Sequence, residues 1–353
     1  MSKASLKQLL GCWAHERWRT ELALNVPGFS WLDLHNRHES ITVADGGRSR
    51  VCNWRDTSML TVCRLFPETG ARLLNHCLAQ WPIAFSVDSE AISAEPDVSI
   101  IIAFRGTERL PQLQACLATL KAQQGVTCEI ILVEQSRERL LDDESVPGVR
   151  HIHARSVSAD MPFNKSWAMN VGARHARADI LIFHDGDMLA PVGYAASVCE
   201  LVGRGYQAAR IPRLVFYPDR ATSEAVQADL SLSAVRQIAE VRQNCRGISL
   251  MMDRDAYWRI GGHDESFYGW GGEDDEILQR AQTLDFYPGG YMPFVHLWHP
   301  AQKEKHSGMV TREAFSAEKM NMPVVDRIAA LNSRESGVQG GPNAPRRELP
   351  DEQ

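Results

Sequence analysis

The sequence predicts an α/β fold, with a mostly parallel central sheet and helices on both faces, preceded by a mostly helical N-terminal region. Three observations carry that expectation. Two unbroken apolar, β-branched runs, "VSIIIAF" (98–104) and "CEIILVE" (128–134), flank a stretch of helical spacing, and a third such run, "DILIFHD" (179–185), follows another helix-like stretch. Continuous rather than alternating hydrophobicity marks strands buried on both faces, as parallel strands between helix layers are.

In chain order, residues 1–95 hold five of the nine tryptophans and no repeating pattern, and "AISAEP" (91–96) reads as a linker ending at Pro96. The first β-branched run opens the main unit, 96–333. "TERLPQLQACLATLKAQQ" (107–124) is its first helix, and with the two runs that flank it makes a βαβ unit. "KSWAMNVGARHARA" (165–178) is the next helix, leading into the 179–185 strand. The tail, 334–353, is Gly/Pro-rich and charged, a composition that favours disorder. The tryptophans near the N-terminus read as core packing rather than as sugar-stacking surfaces.

Bulk properties narrow the function. With 353 residues and 44% hydrophobic content, the chain can bury a large active site. A formal charge of −6 gives no basic field, which argues against a nucleic-acid partner. Eight cysteines lie singly, without a Cys-x-x-Cys pair, and "MSKASLKQLLGCWAHERW" lacks the apolar core of a signal peptide. Reduced thiols in a cytoplasm are the expectation, with peripheral contact to a membrane surface left open. The "NKS" pattern (164–166) therefore reads as chance rather than as a glycosylation site.

Ligands of open α/β sheets bind outside the carboxyl ends of the strands, and "HDGD" (184–187) lies at such an end. Asp185 and Asp187 flank a glycine there, an arrangement that suits a hard divalent cation, Mg²⁺ or Mn²⁺, although on turn chemistry alone a plain β-turn is the commoner reading. "FVHLWHP" (294–300) adds His296 and His299, and imidazole shifts the preference toward Mn²⁺. His175 and His263 read as structural. The stretch "FYGWGGEDDE" (267–276) sets Glu273, Asp274, Asp275 and Glu276 in a row behind two glycines. Acids in the first turn of a helix are favoured by its dipole, but that accounts for one or two of the four. Asp274, beside Trp270 and the glycines, fits a general base for a sugar hydroxyl, with the aromatic face against the sugar.

Four blocks together, "AFRGTER" (103–109), "FNKSWAMNVG" (163–172), "HDGD" (184–187) and "CRGISLMMDRDAYWRIGGHDESFYGWGGEDDE" (245–276), resemble the β-1,4-galactosyltransferase group of inverting, metal-dependent GT-A glycosyltransferases. The likeness spans about residues 97–310, and Gly-Trp-Gly-Gly-Glu-Asp-Asp in uninterrupted register is its most specific part. It implies that Phe104 and Arg105 hold uridine and diphosphate, and that Phe163 and Lys165 contact the nucleotide, with Lys165 where the family usually has Arg. That exchange loses bidentate geometry. It further implies Asp185 near the ribose, Asp187 and His299 as metal ligands with His296 beside them, Trp270 closing over the substrates, Glu273 contacting the acceptor, and Asp274 as the catalytic base. Asn244 falls where galactose-specific members have a Tyr that crowds the sugar's C2, so N-acetylated donors gain room.

The function implied is metal-dependent inverting transfer of a hexose or N-acetylhexosamine, Gal or GalNAc favoured, from a UDP-sugar to a glycan or glycoconjugate hydroxyl. A retaining GT-A transferase of the polypeptide N-acetylgalactosaminyltransferase type shares the Asp-x-Asp and a looser Gly-Gly-Glu-Asp block. A non-catalytic nucleotide-sugar-binding protein on the same scaffold is the alternative from another class.

Overall fold

A computed structural model describes residues 5–54, 56–88, 94–269, 271–300 and 316–337. Trp270, residues 91–93 of the 91–96 linker and residues 338–353 of the 334–353 tail lie outside them. The β-branched runs form strands Val98–Phe104, Cys128–Ser136 and Ile180–His184, and the helical stretches form Leu110–Lys121 and Lys165–His175. Successive strand side chains point to opposite faces. Ile100 and Ile102 accordingly pack with Leu113, Cys116 and Leu120 of one helix, while Ile101 packs with Trp167, Ala168 and Val171 of the other. The expected three-layer arrangement is the one observed.

These strands belong to a seven-stranded mixed sheet, in the order Phe286–Tyr287, Ala208–Ala209, Ser249–Asp253, Ile180–His184, Val98–Phe104, Cys128–Ser136, Arg150–Arg155. The last four are mutually parallel, and Ser249–Asp253 runs antiparallel to both of its neighbours. A second, five-stranded sheet orders Ser58–Met59, Glu240–Gln243, Pro212–Tyr217, Met292–His296 and Met188–Leu189. It is this second sheet that positions the site. Its Met188–Leu189 strand pairs antiparallel with Met292–His296, placing His296 opposite Met188. Leu297 N–H also donates to the Asp187 carbonyl (2.9 Å), so the His-x-x-His stretch is tied by its backbone to the Asp-Gly-Asp loop.

The N-terminal region is helical, as expected, with helices Leu6–Cys12, Trp18–Asn25 and Pro67–Gln80. It also contributes a hairpin, Ile41–Ala44 with Ser49–Cys52, and the edge strand Ser58–Met59. Trp31, Leu60, Leu73 and Leu74 share one apolar core with Ile100, Leu132 and Phe294. Asn164, within the Asn-Lys-Ser pattern, is fully buried; its side chain caps the Lys165–His175 helix by accepting from Trp167 N–H (2.8 Å) and donates to the Glu265 carbonyl (2.7 Å). No helix among the described residues is long and apolar enough to cross a membrane.

Candidate active site and metal centre

Where the Ile180–His184 strand ends, the chain turns through Asp185, Gly186 and Asp187 into a cavity of ≈ 520 Å³. His184 holds the turn from below. It is fully buried, and burial pulls its imidazole down to about 4, so it is neutral. Its Nε2–H then donates to the Met188 carbonyl (3.2 Å), leaving Nδ1 to accept from Ser249 Oγ (2.9 Å), which in turn accepts from Tyr194 (2.7 Å).

Asp187, His296 and His299 converge at one end of the cavity, with ligand atoms of all three within 4.8 Å of one another. His299 Nε2 is 3.3 Å and His296 Nε2 3.7 Å from the Asp187 carboxylate. His299 Nδ1 donates to the Pro300 carbonyl (2.9 Å), which leaves the Nε2 lone pair facing Asp187. That is the orientation a metal-binding imidazole takes. Burial lowers the His299 imidazole below its ordinary value. His296 stacks on Tyr217 with ring centroids 4.7 Å apart, and its buried Nδ1 has no protein partner. Burial opposes ionisation of Asp187, but His296, His299, Arg109 and Lys165 prevail and hold its carboxyl below the usual range. One carboxylate and two imidazoles make a borderline donor set, which fits Mn²⁺ better than Mg²⁺.

Across the cavity stands the acid run, which begins helix Glu273–Ala281. Its four acids divide three ways. Lys165, the first residue of its helix, bridges Asp185 (2.8 Å) and Asp274 (3.1 Å). Burial works against the charge of Lys165, yet Asp185, Asp274 and Glu273 hold it well above the ordinary lysine value. Burial raises the Asp274 carboxyl, with Lys165 opposing, and burial together with Asp274 pushes Glu273 up to about 7. Glu273 accepts from Gly271 N–H (3.0 Å). Asp275 pairs with Arg246 (2.6 Å) on the same wall. Glu276 is fully buried and paired with Arg280 and Arg327, so it fastens the helix to the C-terminal helix Val324–Asn332.

Two glycines are required here. Gly272, at φ 92°, turns the chain into the helix with a backbone that side-chain-bearing residues rarely adopt. Gly247 leaves room for the Asp274 carboxylate: a Cβ there would lie 1.7 Å from Asp274 Oδ2.

The structure thus gathers Phe163, Lys165, Asp185, Asp187, Glu273, Asp274, His296 and His299 around one cavity. It does not bring Phe104, Arg105 or Asn244 to its wall. Phe104 is buried in the core, and Arg105 donates to the carbonyls of Met161 and Ala159, bracing the loop before Phe163. Asn244 lines a neighbouring cavity, held by the Trp54 and Asp56 carbonyls and by Arg210 (2.9 Å). Its φ of 55° aims it there. Sequence reasoning missed Arg109, whose Nη1 is 3.4 Å from Asp187, and the lining residues Tyr217, Arg242 and Arg246. Arg109 sits inside the quoted "AFRGTER", but nothing in its spacing announces Asp187, far along the chain.

Comparison with known proteins gives three findings. Residues 233–287 match the family model described as the N-terminal domain of galactosyltransferase. A curated relative, beta-1,4-galactosyltransferase 7 of Mus musculus, is 31% identical over 91 residues, covering 24% of this chain and 26% of the mouse protein. The chain therefore spans about a quarter of the length of that relative. Among solved structures, the Pyrobaculum calidifontis mannosyltransferase in complex with GDP-Man and Mn²⁺ superposes with a TM-score of 0.42 and 16% identity over 75% of this chain and 78% of its own. A mutant Drosophila beta-1,4-galactosyltransferase 7 in complex with manganese, UDP-Gal and xylobiose gives 0.37 and 18% over 61% and 79%. The resemblance drawn from the acid-run block is borne out over residues 233–287.

Proposed function

We propose that the chain is an inverting glycosyltransferase that moves a hexose or N-acetylhexosamine, Gal or GalNAc, from a UDP-sugar to a hydroxyl of a glycan or glycoconjugate, with Mn²⁺ (or Mg²⁺) as cofactor. One observation carries this reading: a carboxylate–imidazole triad and a lysine-braced carboxylate face each other across one cavity of ≈ 520 Å³. Its volume falls in the range of roughly 300–1,000 Å³ usual for small-molecule sites.

Asp187, His296 and His299 would hold the metal, which when bound supplies Lewis-acid neutralisation of the diphosphate leaving group. Arg109, beside Asp187, adds a second positive charge for the same phosphates. Phe163 walls the nucleotide side of the cavity, and Asp185 is positioned by Lys165 for the ribose. Lys165 also fixes the Asp274 carboxylate, the proton acceptor. As the acceptor oxygen bonds to the anomeric carbon, the bond from that carbon to the diphosphate oxygen breaks, and the hydroxyl proton passes to Asp274. Attack from the face opposite the leaving group inverts the centre. Raising the Asp274 carboxyl by burial brings its basicity nearer the working pH, which strengthens a general base. Glu273 lines the same wall and accepts from the acceptor sugar.

Two companion proposals concern location. All eight cysteines are unpaired, which supports a reducing, cytoplasmic setting. Leu6, Leu10 and Trp13 are exposed at helical spacing on one N-terminal face, which supports peripheral contact with a membrane surface. Cosedimentation with lipid vesicles that Leu10→Asp abolishes would support that contact, and no cosedimentation would refute it.

The function is tested by a donor screen of UDP-Gal, UDP-GalNAc, UDP-Glc and UDP-GlcNAc with Mn²⁺, reading UDP release with and without mixed acceptor sugars and the anomeric configuration of the product. Acceptor-stimulated release with inversion supports the reading. Retention of configuration, or no release with any donor, overturns it.

A further inference from the structure

A second cavity, of ≈ 360 Å³, lies against the first and shares Arg246 and Asp275 with it. It sits between the N-terminal hairpin and the acid-run helix, and four arginines line it: Arg50, Arg210, Arg213 and Arg246. Asp275 is the one acid on its wall. The four guanidinium groups are not equally neutralised. Arg50 has Asp33, and Arg246 has Asp275 (2.6 Å) and Asp56 (2.9 Å). Arg210 donates to the Cys245 carbonyl (2.6 Å) and the Asn244 side-chain oxygen (2.9 Å), while Arg213 donates to the carbonyls of Leu32 (3.0 Å) and Leu34 (2.6 Å) and to Gln243. Neither has a carboxylate partner among the described residues. Glu39, whose charge reaches Arg213, accepts from Gln243, and burial raises its carboxyl. Burial lowers Arg210 and brings Arg213 down to about 10, by more than the nearby charges, Asp275 for the first and Glu39 and Asp33 for the second, restore. Trp54, 44% exposed, and Phe286 give the same cavity aromatic surface.

Guanidinium groups without a paired carboxylate, beside aromatic surface, fit a sugar that carries an anion. We propose that this cavity binds the carboxylate or phosphate of an acidic acceptor saccharide, with Arg210 as the principal partner and Trp54 against the sugar ring. The inference rests on the transferase reading of the adjoining cavity: an acceptor anchored here extends past the Arg246–Asp275 pair toward Asp274. It assigns the acceptor to a chemical class, acidic rather than neutral.

The test is calorimetric titration of the full chain, held with Mn²⁺ and saturating UDP, with glucuronic acid, glucose 6-phosphate and glucose as probes. At least one charged sugar should bind about tenfold or more tightly than glucose, the factor one charge-assisted hydrogen bond supplies. The carboxylate and phosphate arms identify which anion is favoured. Arg210→Gln should remove the advantage and Arg210→Lys should keep part of it, while UDP affinity, measured separately, stays at the wild-type value and reports an intact fold. Equal binding of all three sugars, or an advantage that survives Arg210→Gln, overturns the inference. Normal UDP binding with no preference for charged sugars defeats the inference alone. Arg210-dependent anion binding in a chain that does not bind UDP defeats the transferase reading alone.

Discussion

Gly247→Ala isolates the placement of the proposed base from its chemistry. The new Cβ would stand 1.7 Å from Asp274 Oδ2, 2.4 Å from Cγ and 3.1 Å from Cβ. To move from 1.7 Å to the 3.0 Å that real Cβ atoms keep, the carboxylate must retreat by about 1.3 Å. Rotation of its tip is not enough, because Cγ clashes as well. The retreat pulls Asp274 Oδ1 off Lys165, now 3.1 Å away, and off the line to the acceptor hydroxyl. A misplacement of about 1 Å costs on the order of 10²-fold in rate. The assay is initial-rate UDP release at saturating donor and acceptor, with UDP affinity and Tm measured alongside. kcat should fall by about 10²-fold while UDP affinity holds, and Gly247→Ala added to Asp274→Asn should cost nothing further, since both act through one carboxylate. A Gly247→Ala enzyme with wild-type kcat would refute the placement of Asp274 as base.

Chelation with EDTA should abolish turnover, and Asp187→Ala or His299→Ala should weaken the response to added Mn²⁺; full activity in EDTA would remove the metal from the account. Asp274→Asn should lower kcat by about 10²–10⁴-fold, whereas Asp275→Asn, which loses only a partner of Arg246, should be milder. The reverse order in steady-state assays would shift the base by one residue. Glu273, raised to about 7 by burial and Asp274, is neutral at low pH and ionises on the way to pH 8. The fold favours its neutral form, so its contribution to stability is present below the ordinary glutamate value and is lost as pH rises through about 7. Glu273→Gln should therefore raise Tm more at pH 8 than at pH 5, and an equal change at both would contradict the assignment. Glu276→Gln strands Arg280 and Arg327 in the core and should destabilise by about 3–5 kcal/mol in denaturant unfolding, a loss set by uncompensated buried charge.

The strands that frame the site were legible because burial on both faces writes an unbroken β-branched run, and Val98–Phe104 coincides with "VSIIIAF". Asp187, His296 and His299 were legible as metal-suited residue types, and only the resemblance grouped them at one metal. Their meeting depends on Met188–Leu189, a two-residue strand that carries no periodicity to detect. The second sheet was hidden for the same reason: Ser58–Met59 and the mixed-polarity Glu240–Gln243 are short, and they pair across about half of the chain. Within the acid run, helix-dipole reasoning separated cap from site in number but not in identity. The positions of Arg246, Arg280 and Arg327 show that Asp275, though on the cavity wall, and Glu276 are held in ion pairs, which helix-dipole reasoning could not tell. Asn244 shows the limit of reading by register, since carbonyls of the N-terminal region draw its side chain to the second cavity.

The central claim is that one cavity joins a metal-held nucleotide to a separately held base, and calorimetric titration of UDP with and without Mn²⁺ tests it most directly. The account predicts Mn²⁺-dependent binding by the wild type, loss of that binding in Asp187→Ala, and wild-type affinity in Asp274→Asn. UDP binding that ignores Mn²⁺, or an equal loss in both variants, would contradict it.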